Sequence, residues 1–233
     1  MLREVCTPRT RAIIVNTPWN PLGRAFSAEE WAAVATVAAE HDASVVSDEA
    51  YDHCVLDGGR HAGVLASAVP EDRRIKVGSF SKSLCATGWR VGYIVASAET
   101  SRRIRTVHQF SSFCANSVVQ EAVREVLAGP FAQIRREVNE RFADNVEVFA
   151  SALEGHGFAV TRPTHGFFVL ADVGEHGQDW VERMLANGGV AGLPVATFCG
   201  DAPGAWDSVI RFALCKRPET IQEAATRLAA RLP

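Results

Sequence analysis

The 233 residues are 47% hydrophobic and 22% charged, enough apolar material at about 150 residues per domain for one large domain or two modest ones. A net charge of −3 leaves no electrostatic footprint for nucleic acid or an anionic membrane, and Arg73–Arg74, Arg102–Arg103 and Arg135–Arg136 read as solvated faces. No apolar run is long enough to span a bilayer, the first ten residues hold no signal-like apolar core, and six cysteines without a CxxC pair read as reduced thiols of a cytoplasmic protein.

In chain order, "RAIIVN" (11–16) reads as a buried strand, followed by the Pro-rich turn "TPWNPLG". Ser27 with Glu30 three residues later forms a capping box, and Trp31, Val34, Ala35 and Ala38 make the apolar stripe of the helix it starts. "ASVVSD" (43–48), "RIKVGSF" (74–80) and "VGYIVAS" (91–97) read as further strands. Strand–helix–strand order with short apolar strands is the signature of an α/β layer with a largely parallel sheet. Helical patterns run over about 98–128, with a break near "SSFCANS", and over about 131–154. Beyond "EGHG" the segments "FAVTR", "GFFVLADV", "GVAGLPV" and "SVIRFAL" read as strands, with helices over about 177–187 and 218–231. The expected organisation is a larger domain over 1–130, a long connecting helix over 131–157 and a smaller α+β domain over 158–233.

Ligands of open α/β sheets bind at the carboxyl ends of the strands. There the first strand delivers Asn20, the second Asp48 and Tyr51, and the third Ser79, Ser81 and Lys82, with Arg90 following in a Gly- and aromatic-rich turn. Each alone has an ordinary explanation: Asn20 as a turn residue, Asp48 as a cap, Tyr51 as a packing aromatic, Lys82 as a surface lysine, Arg90 as half of an ion pair. Those explanations predict no correlation among strand ends. Pyridoxal phosphate chemistry does. An amine bonds the cofactor's aldehyde, a carboxylate pairs with the ring nitrogen, a phenol and an amide hold the ring oxygen, and hydroxyls with a guanidinium hold the phosphate. The seven histidines form no HExxH and no Cys/His cluster, so no metal is expected.

"SFSKSLCATGWRVGY" resembles the lysine motif of the class I/II aminotransferases of pyridoxal phosphate fold type I, "NTPWNPLG" their Asn-Pro motif, and "SDEAYD" their Asp-x-x-Tyr motif, in the family's order. "VIRFALC" resembles the motif whose arginine, here Arg211, grips the substrate α-carboxylate. "NTPWNPLGRAFSAEE", "ATGWRVGY" and "GVAGLPVATF" are most similar to the kynurenine/glutamine/methionine aminotransferase branch, and bacterial members of that branch include succinyldiaminopimelate-type enzymes. The resemblance implies a PLP-dependent aminotransferase acting on an amino acid and a 2-oxo acid, homodimeric in its complete form. It implies Lys82 as the cofactor-bearing lysine and proton carrier, Asp48 at the ring nitrogen, and Asn20 and Tyr51 at the ring oxygen. Ser79, Ser81 and Arg90 fall at the phosphate and Arg211, with Asn20, at the substrate. Phe167 and Phe168 read as core.

Family members carry a long segment ahead of the strand that begins here at Arg11, supplying further large-domain strands, a phosphate cup and an aromatic over the ring. The expectation is therefore an incomplete fold type I large domain with a smaller α+β domain, in a truncated or fragmentary chain. Two other readings share these residues: a PLP-dependent C–S β-lyase and a non-catalytic truncated paralogue.

Overall fold

Apolar alternation along short segments builds the first of two units. The computed structural model describes residues 1–187, 189–200, 204 and 206–231. It divides into Met1–Trp19 with Arg24–Val138, and Asn20–Gly23 with Asn139–Pro233.

In the first unit a short helix, α1 (Leu2–Val5), precedes β1 (Ala12–Asn16). Helix α2 (Ala28–Glu40) starts at the expected capping box: the Glu30 N–H donates to Ser27 Oγ, and the Ser27 N–H donates to the Glu30 carboxylate. There follow β2 (Ser44–Asp48), β3 (Arg74–Ser79), the single turn α3 (Phe80–Ser83), β4 (Gly92–Val95), α4 (Ala98–Ser111) and α5 (Ser117–Ala128). The sheet order is β1-β2-β3-β4, with the first three strands parallel and β4 antiparallel to β3. The reversal has a plain cause. Residues 80–91 hold only short turns, not the crossover helix that a parallel neighbour requires.

Strand residues alternate between faces. Ile13, Val15 and Val45 turn toward α2 and pack with Trp31, Val34, Ala35, Val37, Ala38 and Val64 in one buried cluster. Register puts Ile14, Val46, Ile75, Val77 and Ile94 on the opposite face. There Ile14 is 79% and Ile94 46% exposed. Parallel sheets are ordinarily covered on both faces; this one has an apolar ladder open on one.

Helix α6 (Phe131–Gly155) runs from the first unit into the second. The second unit then contains β5 (Ala159–Thr161), β6 (Phe168–Asp172), α7 (Gly177–Ala186), β7 (Leu193–Pro194), β8 (Val209–Ala213) and α8 (Pro218–Arg231). Its sheet is antiparallel throughout, in the order β5-β6-β8-β7. The strand expected over "GVAGLPV" contracts to Leu193–Pro194. Phe149, Leu153, Trp180, Phe212 and Leu228 are buried at its centre, with the Phe149 and Phe212 rings 5.1 Å apart. Asn145 fastens α6 to the end of β8, its side-chain amide donating to the Leu214 carbonyl at 2.8 Å and the Lys216 carbonyl at 3.0 Å.

The tetrapeptide 20–23 is built into this second unit although it is remote in sequence. Leu22 packs on Leu170, Val195 and Val209. The Gly23 carbonyl accepts the Thr164 N–H at 2.9 Å and the His165 N–H at 2.8 Å. Gly23 has φ +66, and a Cβ there would lie 2.3 Å from Pro163 Cβ. Gly23→Ala should therefore lower stability by about 1–3 kcal/mol, measured as a shift of the urea midpoint.

Candidate active site

The first unit assembles its polar groups at one end of the sheet. Parallel pairing sets Asp48, the last residue of β2, against Val77 of β3, two residues before Ser79. Asp48 is exposed, and its Oδ1 accepts the Ala50 N–H at 3.1 Å, turning the chain so that Tyr51 follows with its ring buried. β3 stops at Ser79, whose hydroxyl accepts the Ser81 N–H at 3.2 Å and caps α3. Ser81 and Lys82 therefore stand on a helical turn rather than on the strand itself. The Lys82 ammonium lies 5.6 Å from the centre of the Tyr51 ring.

Arg90 reaches the same end because the chain reverses. The 3₁₀ turn Thr87–Trp89 ends on Arg90 in the left-handed conformation, φ 52, with its Nη1 donating to the Thr87 carbonyl at 3.1 Å. The reversal brings Gly92 directly opposite Ser79, so a loop of twelve residues closes to a short distance. Gly92 is required there, because a Cβ would lie 2.6 Å from the Gly78 carbonyl oxygen. The Arg90 guanidinium itself is exposed.

In the second unit Arg211 occupies the middle of β8, flanked by Leu170 and Leu193. Its guanidinium lies 4.4 Å from the ring centre of Phe168 and 5.1 Å from that of Phe198. Nη1 donates to Asn20 Oδ1 at 2.8 Å. Two aromatic faces and an amide thus hold a planar fork of donors, the geometry suited to a carboxylate. Phe167 and Phe168 are buried as expected, and Phe168 also supports the arginine. Of the eight residues singled out in the sequence, six fall in the first unit, while Asn20 and Arg211 fall together in the second.

The family model for aminotransferase class I and II matches residues 2–228. The chain belongs to this family. The probable N-succinyldiaminopimelate aminotransferase of Mycobacterium tuberculosis is 34% identical over 98% of this chain and 60% of its own length. The methionine aminotransferase of Escherichia coli is 32% identical over 94% of this chain and 57% of its own length. The solved structure of the mycobacterial N-succinyldiaminopimelate aminotransferase superposes with a TM-score of 0.90 at 33% identity, covering 98% of this chain and 60% of that one. The chain thus spans about 60% of the length of the curated relatives that it matches.

Aminotransferases of this family depend on pyridoxal phosphate. The donor set of the first unit fits that group: an amine beside a phenol ring, a strand-end carboxylate, two serines and an arginine at one end of a sheet. Among the described residues no group of three or more His, Cys, Asp or Glu side chains could hold a metal, and no helix is long and apolar enough to cross a membrane.

Sequence reasoning missed a second set of polar residues on the buried face of the same sheet. Lys76 Nζ donates to Asp52 Oδ2 at 2.6 Å and lies 3.2 Å from Glu49 Oε2. Tyr93 donates its hydroxyl to Asp52 at 3.0 Å. The second Glu49 oxygen accepts the Val64 N–H at 2.7 Å, and His61 Nε2 stands 3.2 Å from Oε2. The signal was available: Lys76 alternates with Ile75 and Val77 and shares the face of Gly78, an inward position for a lysine.

Burial opposes the charged form of Glu49, but His61, the Val64 N–H and Lys76 outweigh it and hold the carboxyl below the ordinary range. Burial likewise opposes the Lys76 ammonium, yet Asp52 and Glu49 hold its pKa above that of a free lysine. Burial and the Asp52 charge push the Tyr93 phenol up to about 12. A depressed acid stabilises the fold above its unfolded pKa of about 4.3 and loses that contribution as pH falls through the folded value. A raised lysine stabilises below about 10.4 and loses its contribution as pH rises through the folded value. Equilibrium unfolding against pH should show an acid limb below about pH 4, and Glu49→Gln should flatten it.

Proposed function

We propose that the chain carries the lysine-bearing part of a pyridoxal phosphate site and, in its complete form, moves an amino group from an amino acid to a 2-oxo acid. The observation that carries the reading is the Lys82 ammonium 5.6 Å from the Tyr51 ring, at the sheet end that also presents Asp48. Bound there, pyridoxal phosphate would supply an aldehyde for the amine and a ring that takes up electrons from substrate Cα. Asp48 would hold the ring nitrogen, Tyr51 and Asn20 the ring oxygen, and Ser79, Ser81 and Arg90 the phosphate. Lys82 would carry the cofactor and serve as the general base for the Cα proton. Arg211 grips the α-carboxylate with its fork of donors, beside Asn20.

The open ladder from Ile14 to Ile94 supports a complete form in which further polypeptide covers that face, and a homodimer is the assembly proposed for it. Its free cysteines suit a cytoplasmic protein.

The sequence has three lysines, Lys76, Lys82 and Lys216, which makes the attachment test decisive. Incubation with pyridoxal phosphate, borohydride reduction and peptide mapping should place the pyridoxyl group on Lys82. Lys82→Ala should abolish the label at that peptide. A label confined to Lys216, or undiminished stoichiometry in Lys82→Ala, contradicts the reading. Supply of an amino donor with a 2-oxo acid then separates amino transfer from C–S lysis, which would release pyruvate and ammonia from one substrate, and from an inert paralogue.

Arg211→Lys keeps the charge but loses the bidentate fork and its stacking on Phe168 and Phe198. Binding of 2-oxoglutarate to the cofactor-loaded chain, followed by calorimetry, should weaken by about tenfold or more.

A further inference from the structure

We propose that Lys76 is a positioning residue, holding the segment that carries Asp48 and Tyr51 in fixed register with the turn that carries Ser79 and Lys82. The inference deepens the reading above and, in its application to the cofactor, rests on it.

Glu49 directly follows Asp48, and Asp52 directly follows Tyr51. Both acids are buried, their side chains 1% and 4% exposed, and both converge on the Lys76 ammonium. Lys76 belongs to β3, three residues before Ser79. One cation therefore ties both ends of the 48–52 turn to the strand that delivers Lys82. At this level the Glu49 N–H donates to the Val77 carbonyl at 2.8 Å. Beyond Glu49 the β2–β3 ladder stops, and the side-chain network takes over.

The other partners close the cluster from the remaining sides. Tyr93 on β4 lies over Gly78, where a Cβ would stand 2.2 Å from Tyr93 Cζ, and its hydroxyl shares Asp52 Oδ2 with Lys76. The Lys76 ammonium is also 5.9 Å from the Tyr93 ring centre. On the far side, the Val64 N–H and His61 hold Glu49, and a Cβ at Gly63 would lie 2.1 Å from Glu49 Oε2. His53 Nε2 stands 3.7 Å from Asp52 Oδ2. Thus β2, β3, β4 and the 61–64 loop meet at one charge cluster beneath the strand ends.

A role in mere space-filling and a role in charge positioning predict opposite outcomes. For a buried slot, an unbranched apolar side chain of similar length is the better filler. Lys76→Met should then be tolerated and Lys76→Arg should not. If the cation positions the two acids, Lys76→Met leaves two carboxylates facing one another without a counter-charge, and Lys76→Arg preserves the tie.

The test uses the whole chain in two arms. In the cofactor-free chain, amide hydrogen exchange should quicken in both 48–52 and 79–83 in Lys76→Met and stay near the parent rate in Lys76→Arg. With pyridoxal phosphate added, affinity from absorbance titration should fall about tenfold or more in Lys76→Met and less than about threefold in Lys76→Arg. Tyr93→Phe, which removes only a hydroxyl and guards against a failure of Lys76→Met to fold, should quicken exchange in the same two segments. Equal exchange in the parent, Lys76→Met and Tyr93→Phe, or tolerance of methionine with loss in arginine, overturns the proposal. A parent chain that fails to bind the cofactor while Lys76→Met and Tyr93→Phe still loosen both segments would overturn the functional reading and leave the positioning role standing.

Discussion

Parallel pairing of β2 with β3 in a register that sets Asp48 against Val77 is the constraint from which the first unit's candidate groups take their places. Shifting that register by one residue would put Asp48 and Lys76 on the same face, turning one of the two strands over. As paired, Asp48 and Ser79 stand on the open face, while Glu49, Lys76 and Gly78 stand on the buried face. The antiparallel return of β4 depends on the same strand, since Gly92 opposite Ser79 brings Arg90 back to the site's end of the sheet. Hydrophobic burial of Ile13, Val15 and Val45 against α2 fixes the face, and the charge cluster around Lys76 continues the fastening where the ladder ends.

The second unit solves a different problem, the stable presentation of a guanidinium. Arg211 stands in mid-strand between two apolar neighbours and is kept there by the Phe168 and Phe198 rings and the Asn20 amide. Stacking leaves the edge of the guanidinium for hydrogen bonding and removes competing water from its faces, which strengthens its pairing with a carboxylate. Asn20 reaches it because Gly23, with its positive φ, lets the 20–23 tetrapeptide lie against Pro163–His165. A turn remote in sequence thereby becomes part of the arginine's support.

Much of this was legible in the sequence because it follows local rules. The capping box at Ser27, the apolar stripe from Trp31 to Ala38 and the strand alternation each depend on neighbours a few residues apart. The Lys82, Asp48 and Arg90 motifs were legible because strand ends in an open α/β sheet share one edge. What was not legible depends on long-range pairing. The direction of β4 follows from how little helix lies between residues 80 and 91, whereas Asn20 and Arg211, whose contact crosses most of the chain, were brought together only by the family resemblance. Lys76 was overlooked because the chemistry of the site needs one lysine, and Lys82 had supplied it. Its inward position in β3 was the clue.

Crystallography of the chain grown with pyridoxal phosphate is the most direct measure of the central claim. Continuous density is expected from Lys82 Nζ to the cofactor's aldehyde carbon, with the ring nitrogen within hydrogen-bond distance of the Asp48 carboxylate and the phosphate at Ser79 and Arg90. A cofactor joined to Lys216, or seated with its ring nitrogen away from Asp48, would contradict it.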